Sequence, residues 1–367
     1  MSAQPDLLYS EEEEALRAAV RDLLADHCDA TAVLARVESG VPHDRALWKN
    51  LAETMGLAGL LVPEDLGGQG ASHREAAVVC EELGRAVAPL PYLTSAVIAT
   101  EVLLGCAGDE ARTLLAALAG GHTVAALAVP LSAGPGQGLA GGVRATGGAV
   151  SGRVTAVADA AAADVFLVPT AAGLFAVDAT ADGVTVEPQT SFDRTRPLAA
   201  VTFDGAAGRL LADDAAAPVR RGLRAGAGLL VSEQLGLADW LLTETVRYTR
   251  ERHQFNRPVG SFQALKHRLA RLWLEVVNTR AVARNAADAL ATGSDDTDVA
   301  VAVAQAFAAP VAVRAAEEAL QLHGGIGMTW EHPIHLYLKR AKADAIALGT
   351  AGHHRSELAE LIDLQAS

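Results

Sequence analysis

The sequence predicts an α+β fold that is mostly α: a helical domain, then a small β-domain, then a four-helix bundle. Two observations predict this order. Apolar residues recur at helical spacing in the first and last thirds of the chain, whereas the middle carries short β-branched runs between Gly, Ala and Asp residues. The 367 residues exceed the roughly 100–200 of one ordinary domain, so several domains are expected.

Residues 1–120 are predicted to form the helical domain. In the segment 11–28, apolar residues at 16, 20, 23 and 24 stand at helical spacing, and the acidic first turn favours the helix dipole. Further helices are expected at about 46–55, 73–86, in the apolar segment after the prolines at 89 and 91, and at 109–119.

Residues 121–215 are predicted to form the β-domain. Its strand candidates are the runs TVAALAV, DVFLVP, GLFAVD, GVTVEP and AAVTF, which are separated by turn residues. Helical periodicity returns in residues 216–367, in four segments at about 219–251, 261–293, 297–323 and 333–365. Their short connections favour antiparallel neighbours, hence a four-helix bundle.

Composition excludes several classes of function. The formal net charge of −14 disfavours binding to nucleic acid. No uninterrupted apolar run reaches the roughly 18 residues of a membrane span, and no basic-then-apolar leader begins at Met1, so a cytoplasmic protein without a membrane partner is expected. Cys28, Cys80 and Cys106 are odd in number and far apart, which predicts free thiols rather than disulfides.

Two blocks in the last third combine residues suited to a phosphate-bearing cofactor. In RERHQFNRPVGSFQALKHRLAR, residues 250–271, Arg252 offers a fork of donors for a pyrophosphate, Gln254 and Gln263 offer hydrogen bonds, and Phe255 offers an aromatic face. In EALQLHGGIGMTWEHPIHLYLKR, residues 318–340, the glycines end a helix and let a ligand approach the backbone.

These two blocks resemble the C-terminal signatures of the acyl-CoA dehydrogenase family, and LWKNLAETMGLAGLLVPEDLGGQGAS resembles its first helical domain. The resemblance covers essentially the whole chain. It implies that FAD is the cofactor, that an acyl-CoA is the substrate, and that electron-transferring flavoprotein is the usual acceptor. It also implies that one subunit lends part of the flavin site to its neighbour. The residues so assigned are Arg252, Gln254, Phe255, Gln263, Gln321, Gly324 and Gly325.

The family's catalytic glutamate is missing at both of its usual positions. The base removes a proton next to the thioester, and the family supplies it from a Tyr-Glu-Gly-Thr-like turn or from the first bundle helix. Leu348 stands at the first position, in Ala-Leu-Gly-Thr, and Gly226 stands at the second by resemblance. Neither side chain accepts a proton. Glu233, seven residues further on, is a weaker alternative base.

The half of the flavin site that a subunit keeps for itself also departs from the family. The strand that normally carries a Trp and a Thr against the flavin is SGRVTAVADAAAADVF, residues 151–166, and a Thr-Glu-Pro region is replaced by LAVPLSAGPGQGLAGG. The chain therefore resembles the non-catalytic subunit of the α2β2 acyl-CoA dehydrogenases that actinobacteria use on steroid side chains. The implied partner is a catalytic dehydrogenase chain that shares the FAD and binds the substrate.

Two other interpretations remain open at this stage. One is a self-sufficient homo-oligomer with a relocated base, such as Glu233; the other is a flavin-free scaffold subunit. A metal site is not expected: His332, His335, His353 and His354 have no carboxylate at a convincing ligand spacing.

Overall fold

The computed structural model describes residues 7–41, 43–137 and 142–364. Helices come first, strands follow, and helices return, as the α+β prediction requires. The first region carries capped amphipathic helices; Ser10 and Ser72 each form a capping box with the glutamate three residues on. Its α-helices are α1 Glu11–His27, α2 Ala30–Glu38, α3 Arg45–Lys49, α4 His73–Arg85, α5 Thr100–Leu104 and α6 Asp109–Ala119. Two π-helical segments, Asn50–Thr54 and Tyr92–Ala99, extend α3 and precede α5.

The middle region holds two four-stranded sheets, of order β1-β4-β5-β8 and β2-β3-β7-β6. Only β1 and β4 pair in parallel among the described strands of these sheets. The inner faces pack together, and Phe166 meets Phe203 edge-on at a ring-centroid distance of 5.9 Å. The strands are β1 Ala125–Leu127, β2 Val143–Thr146, β3 Ala149–Ala158, β4 Val165–Thr170, β5 Gly173–Asp178, β6 Val184–Gln189, β7 Leu198–Ala207 and β8 Arg209–Ala212.

The third region is the helical bundle, in which the long helix α7 packs against most of its neighbours. After α7 a two-stranded hairpin, β9 and β10, leads into α8. The elements are α7 Ala216–Glu251, β9 His253–Gln254, β10 Arg257–Pro258, α8 Gln263–Thr292, α9 Thr297–His323, α10 Ile334–Asp344 and α11 Ala351–Leu361.

The fourth bundle segment differs from the single helix expected at about 333–365. It is divided into α10 and α11 by a turn in which Leu348 and Gly349 both have positive φ, +53° and +99°. Thr350 then caps α11 by accepting the backbone N–H of His353. The break places Leu348 inside the molecule rather than on a continuous helical face.

Close helix packing fixes the position of α7 relative to the first region. A Cβ added at Gly84 on α4 would collide with the backbone of Glu233, and one at Gly236 on α7 would collide with the carbonyl of Glu81. Both glycines therefore allow the two helices to approach backbone to backbone.

One described helical stretch, Thr297–Met328, is long and apolar enough by length and composition to cross a membrane. It consists of α9 and the turn after it, and 61% of its most apolar window is buried inside the molecule. Core helices of bundles pass the same test, so this stretch is weak evidence for a span.

Candidate functional site

A strained hairpin presents the first block of predicted cofactor residues. Gln254 pairs with Arg257 across a two-residue loop formed by Phe255 and Asn256, whose φ angles are +52° and +60°. Such two-residue loops need positive φ at both positions, a conformation that is uncommon for a bulky side chain. Phe255 adopts it and is 86% exposed. An exposed, strained aromatic residue at a hairpin tip is typical of a contact made to something outside the chain.

The start of α8 lies against this hairpin. Phe262, the residue before the helix, meets Phe255 edge-on at 6.1 Å, and the Arg257 guanidinium lies 3.9 Å from the centre of its ring. Gln263 is the first residue of α8 and is exposed. The aromatic pair thus holds Gln263 beside the hairpin.

The second block forms an open turn after α9. Gly324 ends the helix with φ +61° and ψ −138°, a conformation that only glycine adopts readily. A Cβ added at Gly324 or Gly325 would meet no atom within 4 Å. Gln321, in the last turn of α9, is also exposed. The backbone of the turn is therefore accessible to a ligand from outside.

Tyr248 of α7 joins the two blocks. Its ring stacks on the His323 imidazole at 4.3 Å with an interplanar angle of 22°, and Arg252 follows it by one helical turn. Tyr248 is not among the residues predicted from the sequence, because a tyrosine in an amphipathic helix carries no signal of its own.

The predicted polar ligand side chains are free in this chain. Within the described residues, the side chains of Arg252, Gln254, Gln263 and Gln321 make no hydrogen bond or ion pair, and all four are exposed. They supply a guanidinium fork and amides, and the Gly324–Gly325 turn supplies backbone N–H groups. This donor set fits the pyrophosphate and the polar edge of FAD.

The two residues that the family resemblance predicts at the glutamate positions, Gly226 and Leu348, lie close together in space. A Cβ added at Gly226 would lie 3.2 Å from Cδ1 of Leu348 and 2.6 Å from Cγ1 of Ile98. Leu348 is 2% exposed, its N–H donates to the Leu131 carbonyl at 2.8 Å, and its own carbonyl accepts from His354 Nε2 at 3.0 Å. Both polar backbone groups of Leu348 are therefore occupied by the chain itself.

The cavity beside these two positions is small. Its volume is about 20 Å³, enough for about one water molecule. The lining contains no carboxylate: it is Thr94, Ile98, Leu127, Val129, Pro130, Leu131, Ala158, Leu223 and Leu348. No general base among the described residues faces it.

The segment that departs from the family's flavin strand is covered by the chain's own loop. Residues 149–158 form β3, where the pairing with β7 shifts between Val154 and Val157 and Ala156 has φ +56°. The N–H of Leu131 donates to the Ala156 carbonyl at 2.8 Å. The loop after Val129 thus lies over β3; residues 138–141 of LAVPLSAGPGQGLAGG lie outside the described residues.

Glu233 is held in a buried ion-pair network whose residues do not line the small cavity beside Leu348. Its Oε2 accepts from Arg196 Nη2 and its Oε1 from Arg340 Nη1, each at 2.6 Å. Arg196 also pairs with Asp344, and Arg340 also pairs with Asp193, both at 2.7 Å. Burial raises the pKa of Glu233, but the charges of Arg196 and Arg340 outweigh it and lower that pKa below its ordinary value. A carboxylate held in this way is a poor proton acceptor.

Asp344 is the opposite case within the same network. Burial and the charge of Glu233 hold the pKa of Asp344 well above its ordinary range. Its Oδ2 has no hydrogen-bond partner among the described residues. A protonated Asp344 leaves two arginines opposite Glu233 and Asp193, so the network is balanced in charge.

The predicted histidines separate into two places. His332 and His335 lie near the Gly324 turn, where His335 stacks on Trp330, whereas His353 and His354 lie beside the Leu348 turn. The ligand atoms of Glu244, His323 and His332 all lie within 4.8 Å of one another, a grouping that could hold a metal. Both oxygens of Glu244, however, already accept from Arg247, at 2.5 and 2.9 Å, so the absence of a metal site remains our prediction.

The three cysteines all lie in the described part of the chain, and they carry no disulfide. Cys28 and Cys80 are buried and Cys106 is half-buried. Burial raises the pKa of the Cys106 thiol to about 11, which keeps it protonated and unreactive at neutral pH.

Comparisons with known proteins identify the family of this chain. The acyl-CoA dehydrogenase N-terminal domain matches residues 10–122, and the C-terminal domain of the same family matches residues 216–362. The acyl-CoA dehydrogenase IpdE2 of Mycolicibacterium smegmatis is 38% identical over 93% of this chain and 95% of its own length. This chain belongs to the acyl-CoA dehydrogenase family, whose members are flavin-dependent oxidoreductases.

Two solved structures with a similar fold are each named for a pair of proteins. A chain of the ChsE4-ChsE5 complex from Mycobacterium tuberculosis superposes with a TM-score of 0.88 and 27% identity, over 99% of this chain and all of that one. A chain of a variant of the Tcur3481-Tcur3483 steroid acyl-CoA dehydrogenase gives a TM-score of 0.85 and 31% identity, over 96% of this chain and 98% of that one.

Proposed function

We propose that this chain is the non-catalytic subunit of a cytoplasmic heteromeric acyl-CoA dehydrogenase, of α2β2 composition, that introduces an α,β double bond into an acyl-CoA thioester. It contributes the outward half of a shared FAD site, by which we mean the exposed side chains of Arg252, Gln254, Phe255, Gln263 and Gln321 and the Gly324–Gly325 turn. The catalytic glutamate and the substrate pocket belong to the partner chain. The observation that carries the proposal is the close approach of Leu348 to Gly226: a Cβ added at Gly226 would lie 3.2 Å from Cδ1 of Leu348. Neither residue is a base, and the cavity beside them, of about 20 Å³, is too small for a substrate.

The outward surface supports the sharing of a cofactor. Arg252, Gln254, Gln263 and Gln321 are exposed and have no partner within the described part of the chain, and the Gly324 turn is open. When FAD is bound, it would accept the hydride from the substrate. Arg252 would bind its pyrophosphate, and Phe255 would pack beside its rings, so this chain's residues bind and orient the cofactor rather than move a proton.

A related protein supports a bulky substrate. The Tcur3481-Tcur3483 protein is described as a steroid acyl-CoA dehydrogenase, and a steroid side-chain CoA is the substrate class that we infer for the complex of which this chain is part. The family's usual acceptor, electron-transferring flavoprotein, would then reoxidise the flavin. A self-sufficient homo-oligomer with Glu233 as its base is disfavoured, because both oxygens of Glu233 are held by arginines.

Replacing Arg252 tests the cofactor role. In the complex recovered from its native source through a tag on this chain, Arg252→Ala is expected to weaken FAD binding about tenfold or more, because hydrogen bonds to charged groups contribute about 1.5–3 kcal/mol. Arg250→Ala is the matched control, since Arg250 is an exposed arginine two residues earlier. Equal FAD affinity in both variants would favour a flavin-free scaffold.

A further inference from the structure

Tyr248 is bonded to both halves of the outward cofactor surface. Its backbone carbonyl accepts the N–H of Arg252 at 2.8 Å, and its hydroxyl donates to the carbonyl of His323 at 3.3 Å. Arg252 opens the hairpin, and His323 immediately precedes Gly324. A single residue of α7 therefore connects the guanidinium fork with the glycine turn.

The hydrogen bond to His323 acts at a sensitive place in the chain. His323 is the last residue of α9 and the N-cap of the 3-10 helix Gly324–Met328 that follows directly. The Tyr248 hydroxyl gives its carbonyl a partner from another helix. Because the next residue, Gly324, can adopt many conformations, the direction of the turn depends on where the His323 carbonyl is held.

The ring of His323 is itself held in place. Its Nδ1 donates to the Ala319 carbonyl at 2.7 Å, and the residue is 3% exposed. Burial lowers the pKa of His323, against the hydrogen bond to Ala319, which raises it. A neutral imidazole stacked on Tyr248 therefore gives a rigid, uncharged support beneath the turn.

We propose that Tyr248 is a positioning residue for the shared cofactor: it sets the distance between the Arg252 guanidinium and the backbone N–H groups of Gly324 and Gly325. The role rests on the proposed function, since it concerns the same FAD site. Groups held in place before binding lose less conformational entropy when the ligand arrives, and so bind it more tightly.

Tyr248→Phe tests the role with a small change, because it keeps the ring stack and removes only the hydroxyl. A neutral hydrogen bond contributes about 0.5–1.5 kcal/mol, so the dissociation constant for FAD in the tagged complex should rise roughly two- to tenfold. Tyr337→Phe is the matched control. The Tyr337 hydroxyl donates to the Arg85 carbonyl at 2.7 Å, and its ring stacks on Trp240 at 3.8 Å.

The readout separates positioning from general stability. Both variants should change the thermal midpoint of the flavin-free complex to a similar extent, whereas only Tyr248→Phe should weaken FAD binding. The positioning role is contradicted if Tyr248→Phe binds FAD like the wild type, or if Tyr337→Phe weakens FAD binding equally. If Arg252→Ala still weakens binding in that case, only the role of Tyr248 fails; if Arg252→Ala also has no effect, the proposed function fails with it.

Discussion

Cδ1 of Leu348 lies 3.2 Å from the point where a Cβ on Gly226 would stand. These residues are separated by most of the C-terminal bundle in sequence, yet they are the two that the family resemblance predicts at its glutamate positions. A larger side chain at position 226 would therefore collide with its neighbours, because the Leu348 side chain packs into the space beside Gly226.

Restoring a carboxylate at Leu348 should fail to restore a working site. Leu348→Glu would bury a carboxyl group among apolar residues beside a cavity of about 20 Å³, so the free energy of unfolding should fall by about 2 kcal/mol or more. Leu348→Met, which conserves volume, should cost under about 1.5 kcal/mol. Urea denaturation measures both; a fully stable Leu348→Glu chain with acyl-CoA dehydrogenase activity of its own would contradict this account.

Glu233 should prove structural rather than catalytic. Glu233→Gln leaves Arg196 and Arg340 without part of their buried charge partner, and breaking a buried ion pair costs about 3–5 kcal/mol. Glu187→Gln, which removes an exposed pair with Arg153, should cost under about 1 kcal/mol. Unfolding by denaturant gives both values. Turnover per bound flavin in the complex should be unchanged in Glu233→Gln, and a large loss there would indicate that Glu233 is a relocated base.

Acid should destabilise the chain partly through His323. Its pKa is lowered in the folded state, so below about pH 6.5, where a free histidine gains a proton, the unfolded chain binds more protons than the folded one. This contribution to stability is present at neutral pH and is lost as the pH falls toward the folded pKa.

The measurement is the free energy of unfolding between about pH 7.5 and about pH 5.5, a range that brackets the ordinary histidine pKa. His323→Gln should lose less stability on acidification than the wild type. His27→Gln, at an exposed position at the end of α1, should keep the wild-type slope. A wild-type slope in His323→Gln would mean that other groups account for the acid sensitivity.

The sequence predicted the order of regions because each is encoded locally, by apolar periodicity, capping serines and β-branched runs. Helical periodicity missed the division of the fourth bundle segment, although the family resemblance places Leu348 in a turn. Leu348 adopts a positive φ there, and so does Gly349 after it. The network around Glu233 escaped prediction, because its arginines lie 37 and 107 residues away in sequence. Helical spacing placed Glu233 on the face of Gly226, but only the packed structure assigns it different neighbours.

The family resemblance predicted the cofactor residues, but their shared exposure is a property of the folded chain. Arg252 and Gly324 belong to separate helix ends that meet through Tyr248 and His323. Residue types alone do not predict this contact, since the sequence does not show whether a tyrosine in α7 faces solvent or packs against the end of another helix.

Flavin stoichiometry tests the central claim most directly. The purified chain alone, and the complex recovered from its native source through a tag on this chain, are each assayed for bound FAD by absorbance. We predict little flavin on the lone chain and one FAD per pair of unlike chains in the complex. One FAD per chain in the lone protein would contradict the account, because the side beside Leu348, where the cavity has only about 20 Å³, would then have to bind a flavin.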